Sequence, residues 1–298
     1  MTSRESLVHA EVPFTGVLIG GGQPQNGKSN WPDQDPLLDA GLALAQPENP
    51  NVLLITSARW ASSKSVTEIV AGYGAYYSRR GLKTDVLHPY LFPEGQSFED
   101  PALDKTPFDP ARLPSQAELT DKIEAADVFF VLGGDANRML NQIWRPLGID
   151  TLLKSAAERG AVISGTSAGC LAWFEGGHTD SSSLKHEPTP PEYNDFRYLL
   201  ALGWLANAIC CPHYDRSPEG RPREPSFAAM MADHGKSGQV GIGIDNDVAL
   251  QIVNGADAQV LKNTLGEGRK TLQTVTINNG SLTTATVDGN FKLSELGS

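Results

Sequence analysis

From residue 12 to about residue 174 the chain alternates short apolar runs with stretches of helical periodicity, and this alternation restricts the fold more than any other feature of the sequence. The runs Val12–Ile19, Asn51–Thr56, Thr84–Leu87, Asp127–Leu132 and Val162-Ile163 are too short for helices and read as strands, most of them buried. Residues 36–45, 66–80, 115–126, 138–144 and 151–159 read as the helices between them, and Ser115 with Glu118 forms a capping box at the start of the third. Parallel neighbours need a crossover helix, so the alternation implies a largely parallel sheet covered on both faces. The expected fold class is α/β, a three-layer sandwich forming a single domain over residues 1–298. Its core runs from about residue 12 to 255, and residues 256–298, rich in Thr, Val and Gly, form a peripheral β-hairpin flap.

The last run leads into Gly165-Thr166-Ser167-Ala168-Gly169, after which Cys170 to Phe174 can open a helix. A G-x-S-x-G turn between strand and helix is the context of a nucleophile elbow. The bend exposes the serine hydroxyl, and nearby N–H groups face a developing oxyanion. A small-residue turn without chemistry has the same letters. Gly133-Gly134-Asp135-Ala136-Asn137 follows the strand at 127–132, where open α/β sheets place their ligands. Gly134 could offer an unobstructed N–H there, or simply make a tight turn. Gly22 to Ser29 matches the phosphate-loop pattern letter for letter, but Pro32, Asp33, Asp35 and Pro36 follow, a poor start for a phosphate-holding helix. A loop without nucleotide is the expectation. The irregular segment 89–114 is the candidate lid.

A net charge of −11 and a pI near 5.0 argue against a nucleic-acid partner, which would need a basic stripe. The three cysteines, Cys170, Cys210 and Cys211, form neither a disulfide framework nor a metal-ligand spacing, so a reducing compartment fits best; no metal and no cofactor are expected. Residues 1–13 lack the apolar core of a secretory leader, and no run is long enough to span a membrane. A soluble cytoplasmic protein is expected, with no membrane partner and a sequence compatible with a homodimer.

A serine hydroxyl needs a base, and the base needs a third group to fix its tautomer. His213, after an apolar segment and Pro212, is the best base; His178 and His186 are its rivals in the turn-rich stretch after the elbow. Glu175, Asp180, Glu187, Glu192 and Asp195 all lie between Ser167 and His213, and spacing does not choose among them. Cys170 faces away as a helix residue and is not taken as a nucleophile.

Val-Leu-Gly-Gly-Asp at 131–135, Gly-Thr-Ser-Ala-Gly at 165–169 and Cys-Pro-His-Tyr-Asp at 211–215 followed by arginines, in this order, resemble the peptidase E and cyanophycinase family of serine peptidases. The resemblance runs from about Gly16 to Val253 and is closer to dipeptidase-E-like members than to aspartyl dipeptidases proper. It implies a class I glutamine-amidotransferase-like sandwich and a Ser-His-Asp/Glu triad. Ser167 matches the nucleophile, His213 the base, and Gly134 and Ala168 the oxyanion-hole positions. Asp180 matches the acid by its distance from the elbow, with Glu187 as rival because the Ser-to-His separation is longer than in the dipeptidase branch. Arg216, Arg221 and Arg223 stand where that branch holds an acidic substrate side chain, and Asp135 stands in the Gly-Gly-Asp turn as a further substrate contact. The implied activity is hydrolysis of short peptides, including Asp-X or β-aspartyl dipeptides. An esterase or amidase on the same fold, or a non-catalytic small-molecule-binding module, are the alternatives.

Overall fold

The structure is a computed structural model that describes residues 8–22, 36–58, 64–88, 114–186, 188–217, 220–236, 238–264, 270–278 and 281–296. The phosphate-loop-like residues after Gly22, the lid candidate at 89–113 and Glu187 lie outside them.

Fifteen strands are described: β1 (His9–Ala10), β2 (Gly16–Ile19), β3 (Val52–Ile55), β4 (Thr84–Leu87), β5 (Val128–Val131), β6 (Val162–Thr166), β7 (Phe174–Thr179), β8 (Arg197–Leu200), β9 (Leu205–Pro212), β10 (Val240–Ile244), β11 (Val248–Val253), β12 (Asp257–Lys262), β13 (Leu272–Asn278), β14 (Ser281–Val287) and β15 (Asn290–Lys292). They form two sheets. The eight-stranded sheet has the order β15-β12-β11-β2-β6-β5-β3-β4, and β2, β6, β5, β3 and β4 are parallel neighbours, as the alternation of strand and helix predicts. The seven-stranded sheet has the order β14-β13-β10-β9-β7-β8, with β1 added against β9.

Two expectations are corrected here. The stretch after the elbow is turn-rich only from Asp180 onward: the helix opened by the elbow is a single turn, α6 (Ala168–Leu171), after which Phe174–Thr179 enters the second sheet. Its glycine-rich sequence hides it, because Gly176 and Gly177 carry no side chain to show the alternation of a strand. Residues 256–298, expected as a peripheral β-hairpin flap, do contain a hairpin, β13 with β14, but their strands are built into both sheets. β12 and β15 extend the eight-stranded sheet, while β13 and β14 extend the other.

The alternation of side chains along each strand divides the core. Val17, Ile19, Val52, Leu54, Val128 and Phe130 face one side, against Leu37 and Leu38 of α1 (Pro36–Ala43) and Tyr73, Tyr76 and Tyr77 of α2 (Lys64–Ser78). Leu18, Leu53, Ile55, Phe129, Val131 and Ile163 face the other side, in one continuous core with α3 (Gln116–Glu124), α5 (Ile149–Glu158) and the inner face of the second sheet, represented by Ala208, Cys210, Val240 and Ile242. The outer face of that second sheet, Ile209, Cys211 and Val275, is covered by Phe227 and Met231 of α7 (Glu224–His234). A short helix α4 (Arg145–Leu147) follows a π-helical stretch over Arg138–Trp144, where the sequence suggests ordinary helix. The capping box is present as predicted in one half: the Ser115 hydroxyl accepts from the Glu118 amide.

Candidate active site

Ser167 stands at the carboxyl end of β6 with φ 56° and ψ −113°. A β-carbon is unfavourable at such angles, and a residue held there costs about 1–3 kcal/mol, which the surrounding contacts must offset. The Ser167 amide donates to the Ile19 carbonyl at 3.0 Å, tying the bend to the neighbouring strand. The elbow closes tightly because Gly169 packs on β5: a β-carbon there would lie 2.2 Å from the Val131 carbonyl oxygen.

His213 follows the last residue of β9, also at positive φ (52°), with its amide donating to the Gly20 carbonyl at 3.0 Å. Its Nε2 is 2.9 Å from Ser167 Oγ. Its Nδ1 is 2.6 Å from Oδ1 of Asn246, in the turn between β10 and β11. The Asn246 side-chain amide is oriented by its other end: Nδ2 donates to Asp215 Oδ1 at 2.8 Å and to the Arg216 carbonyl at 2.9 Å. Its Oδ1 therefore faces the imidazole and accepts from Nδ1–H. A neutral imidazole with its proton on Nδ1 has a bare Nε2, the form that accepts the serine proton.

Burial pushes the His213 pKa down to about 4, and the Arg223 guanidinium pushes the same way, against the smaller opposing effects of Asn246, Asp180 and Asp215. The ring is thus an uncharged base at neutral pH. His178, the first rival, is buried with its Nε2 2.9 Å from Ser226 Oγ, and burial followed by Arg223 holds its pKa well below the ordinary value. His186 is exposed.

The structure does not bring Asp180 to His213. Its Oδ2 lies 2.5 Å from Nη2 of Arg223, a guanidinium only 2% exposed that also sits 4.8 Å over the Phe196 ring. A buried arginine requires a carboxylate more strongly than a neutral imidazole does, and Asp180 meets that requirement. Replacing Asp180 with Asn is accordingly expected to leave kcat within about threefold while lowering stability by about 1–3 kcal/mol, an effect limited by the partial exposure of the carboxylate. Thermal melting beside a peptide assay checks both; a loss of kcat of a hundredfold without destabilisation would return Asp180 to the catalytic set.

The other expected residues separate by environment. Asp135 accepts from the Arg138 amide, the Ser183 amide and hydroxyl, and the Ser182 hydroxyl. Burial alone would raise its pKa, but these bonds outweigh it and hold the carboxyl below its usual value, so Asp135 ties two loops together. Gly134 has φ 147°, and the turn it shares with Gly133 lies against Ser167: a β-carbon at Gly133 would be 2.7 Å from Ser167 Cβ. Ala168 opens α6, and its N–H is among the helix's first amides, which have no acceptor within the helix. Arg221 bonds the Asn194 carbonyl and stacks 4.9 Å over Phe196, whereas the Arg216 side chain is exposed and without an ion pair among the described residues.

Asn246 is the residue that sequence reasoning missed. A search restricted to carboxylates passes over an amide, yet Asp245-Asn246-Asp247 does stand out as a polar turn between two apolar strands. Among the described residues no group of three or more His, Cys, Asp or Glu side chains could hold a metal ion, and no helix is long and apolar enough to cross a membrane.

Comparison with known proteins places relatives of this chain among peptidases. The model of peptidase family S51 matches residues 110–260. An uncharacterised peptidase, YgaJ of Bacillus subtilis (strain 168), is 30% identical over 141 residues, 47% of this chain and 54% of that protein, so the match spans about half the length of the curated relative. Two crystal structures share the fold. One, of a peptidase from an acI-B1 actinobacterium, has a TM-score of 0.56 at 18% identity, covering 94% of this chain and 98% of that one. The other, of a candidate peptidase E from Listeria monocytogenes EGD-e, has a TM-score of 0.54 at 17% identity, covering 84% and 99%.

Proposed function

The chain belongs to peptidase family S51, and from that premise we propose that it is a serine-type peptidase that hydrolyses short peptides through Ser167, His213 and Asn246. The observation that carries this reading is the 2.9 Å contact between Ser167 Oγ and an imidazole Nε2 left bare by the Nδ1–H bond to Asn246.

In the proposed reaction Ser167 Oγ attacks the scissile carbonyl carbon as its proton passes to His213 Nε2. The carbonyl π pair moves onto oxygen, where the N–H groups of Gly134 and Ala168 hold the oxyanion. Collapse breaks the C–N bond, and His213 gives its proton to the departing amine. Water then attacks the acyl-enzyme, His213 takes its proton, and the second collapse returns that proton to Ser167 as the carboxylic acid leaves. Asn246 accepts from Nδ1–H throughout, as a neutral orienting group in place of the expected Asp180.

The proposed substrates are Asp-X or β-aspartyl dipeptides, with Arg216 as the guanidinium that meets the acidic side chain. Of the three arginines it is the one whose side chain has no ion pair or hydrogen bond among the described residues, whereas Arg223 is held by Asp180 and Arg221 by the Asn194 carbonyl. The fold is read as a class I glutamine-amidotransferase-like sandwich in a single domain, and three free thiols suit a cytoplasmic site.

Because a protonated His213 cannot act as base, kcat/KM is expected to fall as pH drops through about 4 and to be flat from there to neutrality. A pH profile taken beside circular dichroism at each pH checks this. An acidic limb centred above pH 6 in folded protein would contradict it.

The function itself is tested on a panel of Asp-X, β-Asp-X and neutral dipeptides together with a simple ester, and by fluorophosphonate labelling. Cleavage of the acidic dipeptides with label on Ser167 supports the reading. Ester cleavage alone would favour an esterase, and neither cleavage nor label would favour a binding module.

A further inference from the structure

We infer that Asp215 is a positioning residue that sets the tautomer of His213 from two residues away, by holding the Asn246 amide with its carbonyl toward the imidazole. The inference rests on the serine peptidase reading above and extends it to a residue that does not touch the reacting atoms.

An asparagine against an imidazole is ambiguous in a way that a carboxylate is not. A carboxylate can only accept, so it always draws the proton to Nδ1. An amide has two ends. With Oδ1 facing the ring, Nδ1 carries the proton and Nε2 can take one from serine. With Nδ2 facing the ring, Nδ1 must be bare, the proton moves to Nε2, and the base is lost.

The contacts behind Asn246 remove the ambiguity. Asp215 Oδ1 accepts from both the backbone amide of Asn246 (2.9 Å) and its Nδ2 (2.8 Å), and the Arg216 carbonyl accepts from the same Nδ2 at 2.9 Å. A flipped amide would turn its Oδ1 onto two acceptors, the carboxylate and the carbonyl. Carboxylate and carbonyl oxygens both accept, so the flip leaves a buried acceptor without a hydrogen. The backbone bond keeps the carboxylate in register with the turn. Asp215 thus does for the tautomer what the third triad residue does when it is an acid, with the amide as a neutral spacer.

Nuclear magnetic resonance of full-length protein carrying 15N-histidine tests this directly, since the two ring nitrogens give different shifts in the two tautomers. Of the six histidines, His213 is assigned by its loss in His213→Gln. The wild type is expected to show Nδ1–H. Asp215→Ala and Asp215→Leu, the second keeping the side-chain bulk, are expected to lose at least part of that population to Nε2–H, with kcat down by about 10- to 100-fold and KM within about threefold. Asp215→Asn can still present an oxygen to both donors and should recover to within about threefold of wild type.

In an Asn246→Asp background the group against Nδ1 has no donor end, so Asp215→Ala should cost little more there, a non-additivity that a merely structural role would not give. Unchanged tautomer in whichever of the Ala and Leu variants folds, or the same kcat penalty in both backgrounds, would overturn the inference. The resonance measurement needs no turnover. Failure of the peptidase reading, seen as no hydrolysis and no label on Ser167, is therefore distinct from failure of this one.

Discussion

Ser167→Ala is expected to lower kcat for peptide hydrolysis by about 10³-fold or more, with KM changed by no more than a few-fold and the fold intact. The size follows from what the hydroxyl does: without it no acyl-enzyme forms, and the remaining donors can only polarise the carbonyl toward water. The substitution is structurally mild. The strained φ of 56° is borne equally by Ala, and the amide bond to the Ile19 carbonyl does not involve the side chain. Steady-state kinetics on the best dipeptide, beside thermal melting of both proteins, measure the two halves of this expectation. A variant that melts like the wild type and retains more than a tenth of its kcat would remove Ser167 from the nucleophile's place.

Gly21→Ala should be nearly as damaging, although Gly21 has no side chain to contribute. A β-carbon at this position would lie 2.1 Å from His213 Cε1, 2.3 Å from Nδ1 and 2.7 Å from Asn246 Oδ1. The ring cannot swing aside freely, because its backbone is fixed at φ 52° and both nitrogens are already engaged. Displacing a base by about 1 Å costs about 10²-fold, and here the tautomer-setting bond is disturbed as well, so a loss of about 10²- to 10³-fold in kcat is expected. The signature is specific. Fluorophosphonate labelling of Ser167 should slow in parallel with kcat while circular dichroism stays unchanged. Activity within threefold of wild type would show that the imidazole has room the structure does not give it.

Much of this arrangement could be read from residue order, and the reasons differ from residue to residue. The parallel strands β2, β3 and β5 announce themselves because burial on both faces leaves them continuously apolar, and Ser167 because an elbow compresses its constraints into five adjacent residues. His213 could be found because a strand end delivers it. What escaped was set by contacts distant in sequence. The partition of strands between two sheets depends on pairings such as β7 with β9, which no local pattern encodes. Asp180 occupies a plausible place along the chain, but a buried Arg223, 43 residues later, determines what it faces. Asn246 was passed over because its role depends on the orientation of an amide, which is set by Asp215 and the Arg216 carbonyl rather than by its own identity.

Ser167 directly follows a strand of the eight-stranded sheet, and His213 directly follows a strand of the seven-stranded one. Neither sheet alone carries both members of the proposed pair. A chain emerging from synthesis can complete the Ser167 bend before residue 205 exists, yet it has no base until β9 has entered the second sheet and the shared core has closed. On the proposed reading, hydrolysis therefore needs both sheets in place and is lost when the layers part.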